Sequence, residues 1–282
     1  MDTAVTKKTT ADALEHWKSR STGWKITNFD AQPRDDIFNI KLANALCIHP
    51  GSNILDVASG TGEPSIWISK LLEEHKGATI TATDMTYEML NIARERAQLL
   101  NFTNIRFAIA SMDRLPFADD TFDGLTCRMG LMFPKDKENC VKEAHRVLKA
   151  GGAATYLCWG PLRSNPAFQL FSEAMKNYFH EKFPIREVRH CLGEVGAITK
   201  LLHQAGFSAV NEEVISYQRE VTRGDAYFRQ GIARTWPDRV AEFTDNDWAP
   251  LLKHTEEVFS VLKKGSKFFI PINANICRGR VK

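Results

Sequence analysis

The sequence predicts an α/β fold, a parallel sheet with helices on both faces. Three observations carry this. Strand-like and helix-like segments alternate from Ile54 onward, the first strand is a continuous apolar run, and a glycine pair separates it from a helix. Continuous apolar runs mark strands covered on both faces, and alternation with helices is the pattern of parallel pairing. Ligands of such sheets sit beyond the carboxyl ends of the strands. The residues just after each strand are therefore the informative ones.

The elements follow in order. "ILDVA" (Ile54 to Ala58) is the first strand. Pro64 suits the first turn of the next helix, where its missing N–H costs nothing. Ile66, Ile68, Leu71 and Leu72 form that helix's inner face. "ATITATDM" (Ala78 to Met85) is rich in β-branched residues and reads as the second strand. Thr86 is placed to cap a helix whose Met89, Ala93, Ala97 and Leu100 recur at helical spacing. "NIRFAIA", "FDGLTCRMGLM" and "GGAATYLCW" read as the third, fourth and fifth strands. Between the last two, "KENCVKEAHRVLKAGG" reads as a helix closed by Gly151 and Gly152. "GAITKLLHQAGF" is a further helix, and "AVNEEVISYQREV" a further strand.

The whole chain, 1–282, reads as a single domain. Residues 1–50 form an N-terminal helical cap with Trp17 and Trp24, and 51–160 form the ligand-binding core. Residues 161–195 and 224–264 break the strand–helix rhythm and read as helical insertions. Their aromatic residues either cover the substrate site as a lid or pack as additional core; the sequence leaves both open.

Composition narrows the function classes. With 37 basic against 34 acidic residues the net charge is +3, too balanced to predict a nucleic-acid groove. The six cysteines contain no CxxC pair, so neither a zinc site nor a disulfide framework is expected, and no metal. "MDTAVTKKTTADALEHW" lacks the apolar centre of a signal peptide, and no apolar stretch is long enough to span a bilayer. A cytoplasmic protein with reduced thiols is the expectation.

The glycine turn points to a ligand. Gly60-Thr61-Gly62 lies between strand and helix, where glycine admits positive φ and close approach to the main chain. The helix behind it presents free N–H groups and a positive dipole end. Asp84 ends the second strand, about twenty residues past the glycines, where a carboxylate accepts both hydroxyls of a ribose. A dinucleotide fingerprint requires a third glycine, but this chain has Ser65, preceded by Pro64. Asp56 and Glu63 add negative charge at the turn, which suits a ligand bearing an ammonium and a sulfonium better than a pyrophosphate.

"ILDVASGTGEP", "ATDMTYEML", "MDRLPFADDTFD", "CRMGLMF" and "EAHRVLKAGG" together resemble the successive motifs of class I S-adenosylmethionine-dependent methyltransferases, most closely the ubiquinone/menaquinone-biosynthesis-like branch. The resemblance covers about residues 40 to 160. It implies a Rossmann-like seven-stranded, mostly parallel sheet, its last strand antiparallel and carried by "SKFFIPINANICRGR". It also implies S-adenosyl-L-methionine as cofactor. Gly60 and Gly62, with Ser59 and Thr61 in the same turn, would pass under the methionine part; Asp56 and the backbone around Ala58 would hold its ammonium. Asp84 would take the ribose and Met85 the adenine face. Backbone at Met112, with Ser111 or Asp113, would meet the adenine edge, and Arg128 and Met129 would line the methionine end. Many relatives carry aspartate where this chain has Ser111, so which of Ser111 and Asp113 accepts from the adenine amino group is open.

The expected partner is a small, apolar or aromatic methyl acceptor, with a homodimer as a further expectation. The acceptor pocket is expected near Trp24, Phe133, Trp159, Phe168 and Phe171. His16, His180 and His190 are the candidate general bases, while His145 lies on a packing helix of the resembled family. The competing function is a protein of the same fold that binds the cofactor without transferring methyl, as a pericyclase-like catalyst or an interaction module. A dinucleotide oxidoreductase ranks third.

Overall fold

The computed structural model describes Leu14, Glu15, Trp17, Lys18, Ser21 and residues 36–282 other than 186. Its centre is an eight-stranded sheet built from β1 (Asn53–Val57), β2 (Thr79–Asp84), β3 (Ile105–Ile109), β4 (Phe122–Arg128), β5 (Leu148–Trp159), β6 (Ser208–Val221), β7 (Lys263–Lys264) and β8 (Lys267–Arg280). The spatial order is β3-β2-β1-β4-β5-β8-β6, and the two-residue β7 forms a hairpin with the start of β8. The first five strands pair in parallel, and β8 runs antiparallel between β5 and β6. The seven strands of the main path match the expected sheet, with β7 as an addition.

Residues Ile54 to Val57 of β1 are all buried, as a strand covered on both faces requires. Helices α1 (Ile37–Asn44), α2 (Ser65–Leu72), α3 (Tyr87–Leu99), α4 (Lys137–Val147) and α6 (Ala197–Gln204) accompany this sheet. Helices α5 (Ala167–Phe179), α7 (Gly224–Thr235), α8 (Pro237–Val240) and α9 (Asp245–Phe259) occupy the two predicted insertions.

Two boundaries differ from the sequence reading. Helix α4 stops at Val147 instead of running to the glycines, because Leu148 is fully buried and already pairs with Phe122. Gly151 then takes φ 78° within β5, where the ladder changes register. The fourth strand ends at Arg128 instead of continuing to Met132, because Met129 turns into the left-handed region at φ 57°.

Burial falls into three hydrophobic clusters. Ile54, Ile66, Ile68, Ile80 and Ala97 belong to one, and Leu125, Val141, Tyr156 and Leu202 to a second. The third joins the insertion helices to β6 and β8 through Phe171, Met175, Phe228, Phe259 and Ile270. Met129 and Trp159, both half-buried, are packed against the second and third clusters alike. Burying a phenylalanine of this kind contributes about 1.5–3 kcal/mol, so Phe171, Phe228 and Phe259 stabilise the fold by packing.

Candidate functional site

The sheet order reverses between β1 and β4: β2 and β3 extend to one side of them, β5 to the other. A crevice opens at such a switch point, beyond the carboxyl ends of both strands. After β1, Ala58 takes φ 55°; after β4, Met129 takes φ 57°. Left-handed backbone costs a non-glycine residue about 1–2 kcal/mol, and these two residues flank the same crevice. Gly130 joins the two loops, since a Cβ there would lie 2.6 Å from the Ala58 Cβ and 2.8 Å from the Cys127 sulfur. The sequence reading missed Gly130; its place directly after a strand, in "RMGL", was the available signal.

The two predicted glycines serve different ends. Gly62, at φ 100°, is required by packing, because a Cβ would meet Ile66 at 2.9 Å and Ala93 at 3.1 Å. Gly60, at φ 54°, would direct a Cβ into space with nothing within 4 Å. That bare face is a cradle into which a ligand can lie against the main chain.

Asp84 holds the turn. One carboxylate oxygen accepts from the Gly60 N–H and the other from the Thr86 N–H, both at 2.9 Å. An ionised carboxylate offers about four acceptor positions, so each oxygen keeps capacity for a hydroxyl. Burial pushes the Asp84 carboxyl above its ordinary pKa, opposed by bonds from Thr86 and Gly60. Thr86 itself caps α3 without a side-chain bond.

Asp56 is fully buried. One of its oxygens accepts from the Ser65 hydroxyl, and Oδ1 has no partner among the described residues. Ser65, standing where a dinucleotide fold would place its third glycine, is thus the residue that fixes Asp56. Burial pushes the Asp56 pKa up from 3.8 to about 8; Ser65 opposes this, and the nearby Asp84 and Glu63 charges add to it. The free protein therefore keeps this carboxyl largely protonated at pH 7. Ser59 Oγ, two residues into the turn, is likewise buried without a partner. These orphaned acceptors fit a ligand that brings N–H donors and positive charge, as the ammonium of S-adenosylmethionine does.

A pH dependence follows. A cation beside Asp56 favours its ionised form, so binding releases a proton below pH 8 and affinity rises from pH 6 to 8. Between those limits the expected slope is roughly tenfold per pH unit. The free protein does the opposite: the neutral buried carboxyl stabilises it below about pH 4, and that contribution is lost as pH climbs through about 8. Calorimetry with S-adenosylhomocysteine in two buffers of different ionisation enthalpy measures the proton. Zero release in the wild type, or release unchanged in Asp56→Asn, contradicts the assignment.

Glu63 does not stand as an extra charge facing a ligand, as the sequence reading had it. Its carboxylate pairs with Arg96 at 2.7 Å and accepts from the Asn39 amide at 2.7 Å. Arg96 also donates to the Thr61 carbonyl at 2.7 Å, tying α3 to the turn. Asn39 accepts in turn from Arg128, whose guanidinium forks onto Asp36 at 2.8 and 3.2 Å. Asp36 caps α1 through the Asn39 N–H at 2.9 Å. One polar chain therefore runs from α1 through the end of β4 to the glycine turn.

On the other side of the turn, Met85, Ser111, Met112 and Asp113 are half-buried. Ser111 bridges to Arg114, the Asp113 carbonyl accepts from the Asn139 amide at 2.7 Å, and a Cβ at Gly130 would lie 3.2 Å from the Met112 methyl. Met112 thus reaches the same crevice from β3.

Of the predicted acceptor residues, Phe133 meets Trp17 edge-on at 4.9 Å. Trp159 meets Phe168 edge-on at 5.2 Å and Phe38 at 6.1 Å, and Phe168 meets His190 at 4.9 Å. Phe171 departs from this expectation: it is buried among Tyr227, Phe228 and Phe259, in the core of the insertions. His180 departs too, because it is exposed at the left-handed end of α5. His16 and Trp24 lie outside the described residues. A groove of about 640 Å³ between α1 and β6 is lined by Lys41, Glu213, Tyr217 and Arg219, and none of the predicted site residues lines it.

Among the described residues no cluster of three or more His, Cys, Asp or Glu side chains is placed to hold a metal. None of the described helices is long and apolar enough to cross a membrane.

A mostly parallel sheet with this strand order, a glycine turn after β1 and an acid at the end of β2 defines the Rossmann-like methyltransferase fold. The model of the ubiE/COQ5 methyltransferase family matches residues 33–188, more than half of the 282. The chain belongs to that family. Curated relatives include ubiquinone/menaquinone biosynthesis C-methyltransferases of Geotalea daltonii, 32% identical over 137 residues (48% of this chain, 56% of the relative), and Rickettsia bellii, 40% identical over 103 residues (36% and 42%). The chain spans about half the length of these curated relatives. Among solved structures, Haemonchus contortus phosphoethanolamine N-methyltransferase 2, bound to phosphomonomethylethanolamine and S-adenosylhomocysteine, aligns with TM-score 0.60 at 16% identity, over 96% of this chain and 58% of that one. The [4+2]-cyclase SpnF aligns with TM-score 0.61 at 15% identity, over 97% and 96%. At these identities the structures share the fold.

Proposed function

We propose that the protein is an S-adenosylmethionine-dependent methyltransferase acting on a small, apolar or aromatic molecule. Family membership supports the reaction class. The observation that carries the cofactor is the bare Gly60 turn flanked by the unpartnered acceptors of Asp56 and Ser59. In this reading Gly60, Thr61 and Gly62 cradle the methionine part, Asp56 and Ser59 receive its ammonium, and Asp84 takes the ribose. Met85 lies against the adenine, Ser111, Met112 and Asp113 meet its edge, and Arg128 and Met129 close the methionine end.

The cofactor supplies an activated methyl group on a sulfonium. The chain's task is to hold the acceptor in line with it and to exclude water. Such positioning supplies roughly 7–11 kcal/mol of the barrier reduction. Arg128 is held from behind by Asp36 and Asn39, which fixes the end of β4 where the acceptor would approach.

The family match ends at residue 188, before α7, α8 and α9. The curated relatives are named as C-methyltransferases of ubiquinone/menaquinone biosynthesis. We assign the acceptor specificity of this protein to residues 224–264, which follow the matched part of the chain. The likeness to a cyclase reaches only the fold and does not favour a protein without methyl transfer.

Gly60→Val tests the reading. Valine is strained at φ 54°, costing about 1–2 kcal/mol of stability, and it fills the bare face. The expected outcome is a folded protein with S-adenosylhomocysteine affinity lowered at least about a hundredfold, roughly 3 kcal/mol. Undiminished affinity by calorimetry rejects the cradle. Transfer of isotopically labelled methyl from the cofactor to a panel of aromatic acceptors separates a transferase from a cofactor-binding protein that does not transfer.

A further inference from the structure

The loop that carries His190 is fixed from three sides. His190 Nδ1 lies 2.8 Å from the carbonyl of Gly160, the residue directly after β5. Cys191 donates to the Met132 carbonyl in the loop after β4 at 3.4 Å, and the Asn275 amide holds the Gly193 carbonyl at 2.7 Å. Asn165 secures the other side by donating to the carbonyls of Pro161 and Asn273. The ring is thus positioned between the carboxyl ends of β4 and β5, at the acceptor side of the crevice.

A carbonyl can only accept, so Nδ1 carries the hydrogen and Nε2 is left as a bare acceptor. That Nε2 is sealed from solvent and has no hydrogen-bond partner among the described residues. Beside the His190 ring stands Phe168, edge-on with centroids 4.9 Å apart, and Trp159 packs in turn against Phe168. A buried acceptor without a donor is the exception in folded proteins and calls for a group that supplies one. One unpartnered acceptor among aromatic side chains matches the chemistry of a ring bearing a hydroxyl.

We propose that His190 Nε2 receives the hydroxyl hydrogen of a phenol-type acceptor seated against Phe168 and Trp159, and acts as the base for methyl transfer. This rests on the methyltransferase reading above. The O–H bond breaks, its proton passes to Nε2, and its electron pair stays on the phenolate. The phenolate attacks through oxygen, or through the adjacent ring carbon. A bond to the methyl carbon forms as the methyl–sulfur bond breaks, its electron pair remaining on sulfur as a neutral thioether. After oxygen attack the imidazolium returns its proton to water. After carbon attack the ring hydrogen leaves to water, and the imidazolium restores the hydroxyl. Burial lowers the His190 pKa, the Gly160 bond opposes this and Arg189 lowers it further, so the ring is neutral at pH 7.

The test compares 2-naphthol with naphthalene, which has the same rings and no hydroxyl, in wild type and His190→Gln. Calorimetry should show wild type preferring the naphthol at least about tenfold, and the variant losing that preference. Nitrogen NMR of histidine-labelled wild type provides a second measurement that needs no variant. It should show Nδ1 protonated and Nε2 bare, with Nε2 moving on addition of 2-naphthol but not of naphthalene. An Nε2 that carries the hydrogen, or a preference that survives in the variant, overturns the proposal. S-adenosylhomocysteine binding is measured on the same samples. Its failure in wild type overturns the methyltransferase reading, whereas normal binding without a naphthol preference overturns only the role of His190.

Discussion

Asp84→Ala is expected to lower S-adenosylhomocysteine affinity by about 3 kcal/mol, roughly a hundredfold. The structure makes the carboxylate responsible for two things at once. It holds the Gly60 and Thr86 N–H groups at 2.9 Å, fixing the turn, and in the proposed complex it accepts from the ribose. Alanine removes both, whereas Asp84→Asn keeps one oxygen acceptor and should lose only about tenfold. A ligand-side control separates the contributions. A 2′-deoxy analogue should bind wild type more weakly but lose little further in Asp84→Ala, the coupling expected of groups in direct contact. Calorimetric affinity within twofold of wild type for Asp84→Ala removes the ribose assignment.

Arg96→Met should have the largest effect on stability, about 3–5 kcal/mol. Arg96 and Glu63 are nearly enclosed, with 5% and 9% of their side chains exposed. Methionine would leave the Glu63 carboxylate buried with the Asn39 amide and the Thr61 carbonyl without the Arg96 donor. Whole-protein stabilities run to about 5–15 kcal/mol, so this one change removes a large share. Adding Glu63→Leu to Arg96→Met should recover much of the loss, because two apolar side chains replace a buried charge that has lost its Arg96 partner. Chemical denaturation measures both. A loss below about 1 kcal/mol for the single variant means the pair is not sealed as the structure has it.

The glycine turn and the strand-end place of Asp84 were legible in the sequence because their signals are local. Strand, glycine turn and helix follow one another within twenty residues, and Asp84 ends the next strand. Hydrophobic runs and glycine positions suffice to locate them. The polar chain behind the turn was not legible, because its links join residues far apart in sequence: Glu63 to Arg96, Asn39 to Glu63, Asp36 to Arg128. For the same reason Glu63 was misread as charge directed at a ligand. The end of α4 was misplaced because the burial of Leu148 overrides the glycine stop signal. Phe171 and Phe168 look alike in the sequence, three residues apart, yet one turns to the insertion core and the other towards His190.

Met129 and Trp159 are packed both against the cluster built on β4 and β5 and against the cluster that holds α5, α7 and α9. Strands β5 and β8 feed both clusters as well, with Leu157 and Ile276 in one and Tyr156 and Cys277 in the other. A substitution anywhere along this strand pair is therefore felt on both faces of the sheet.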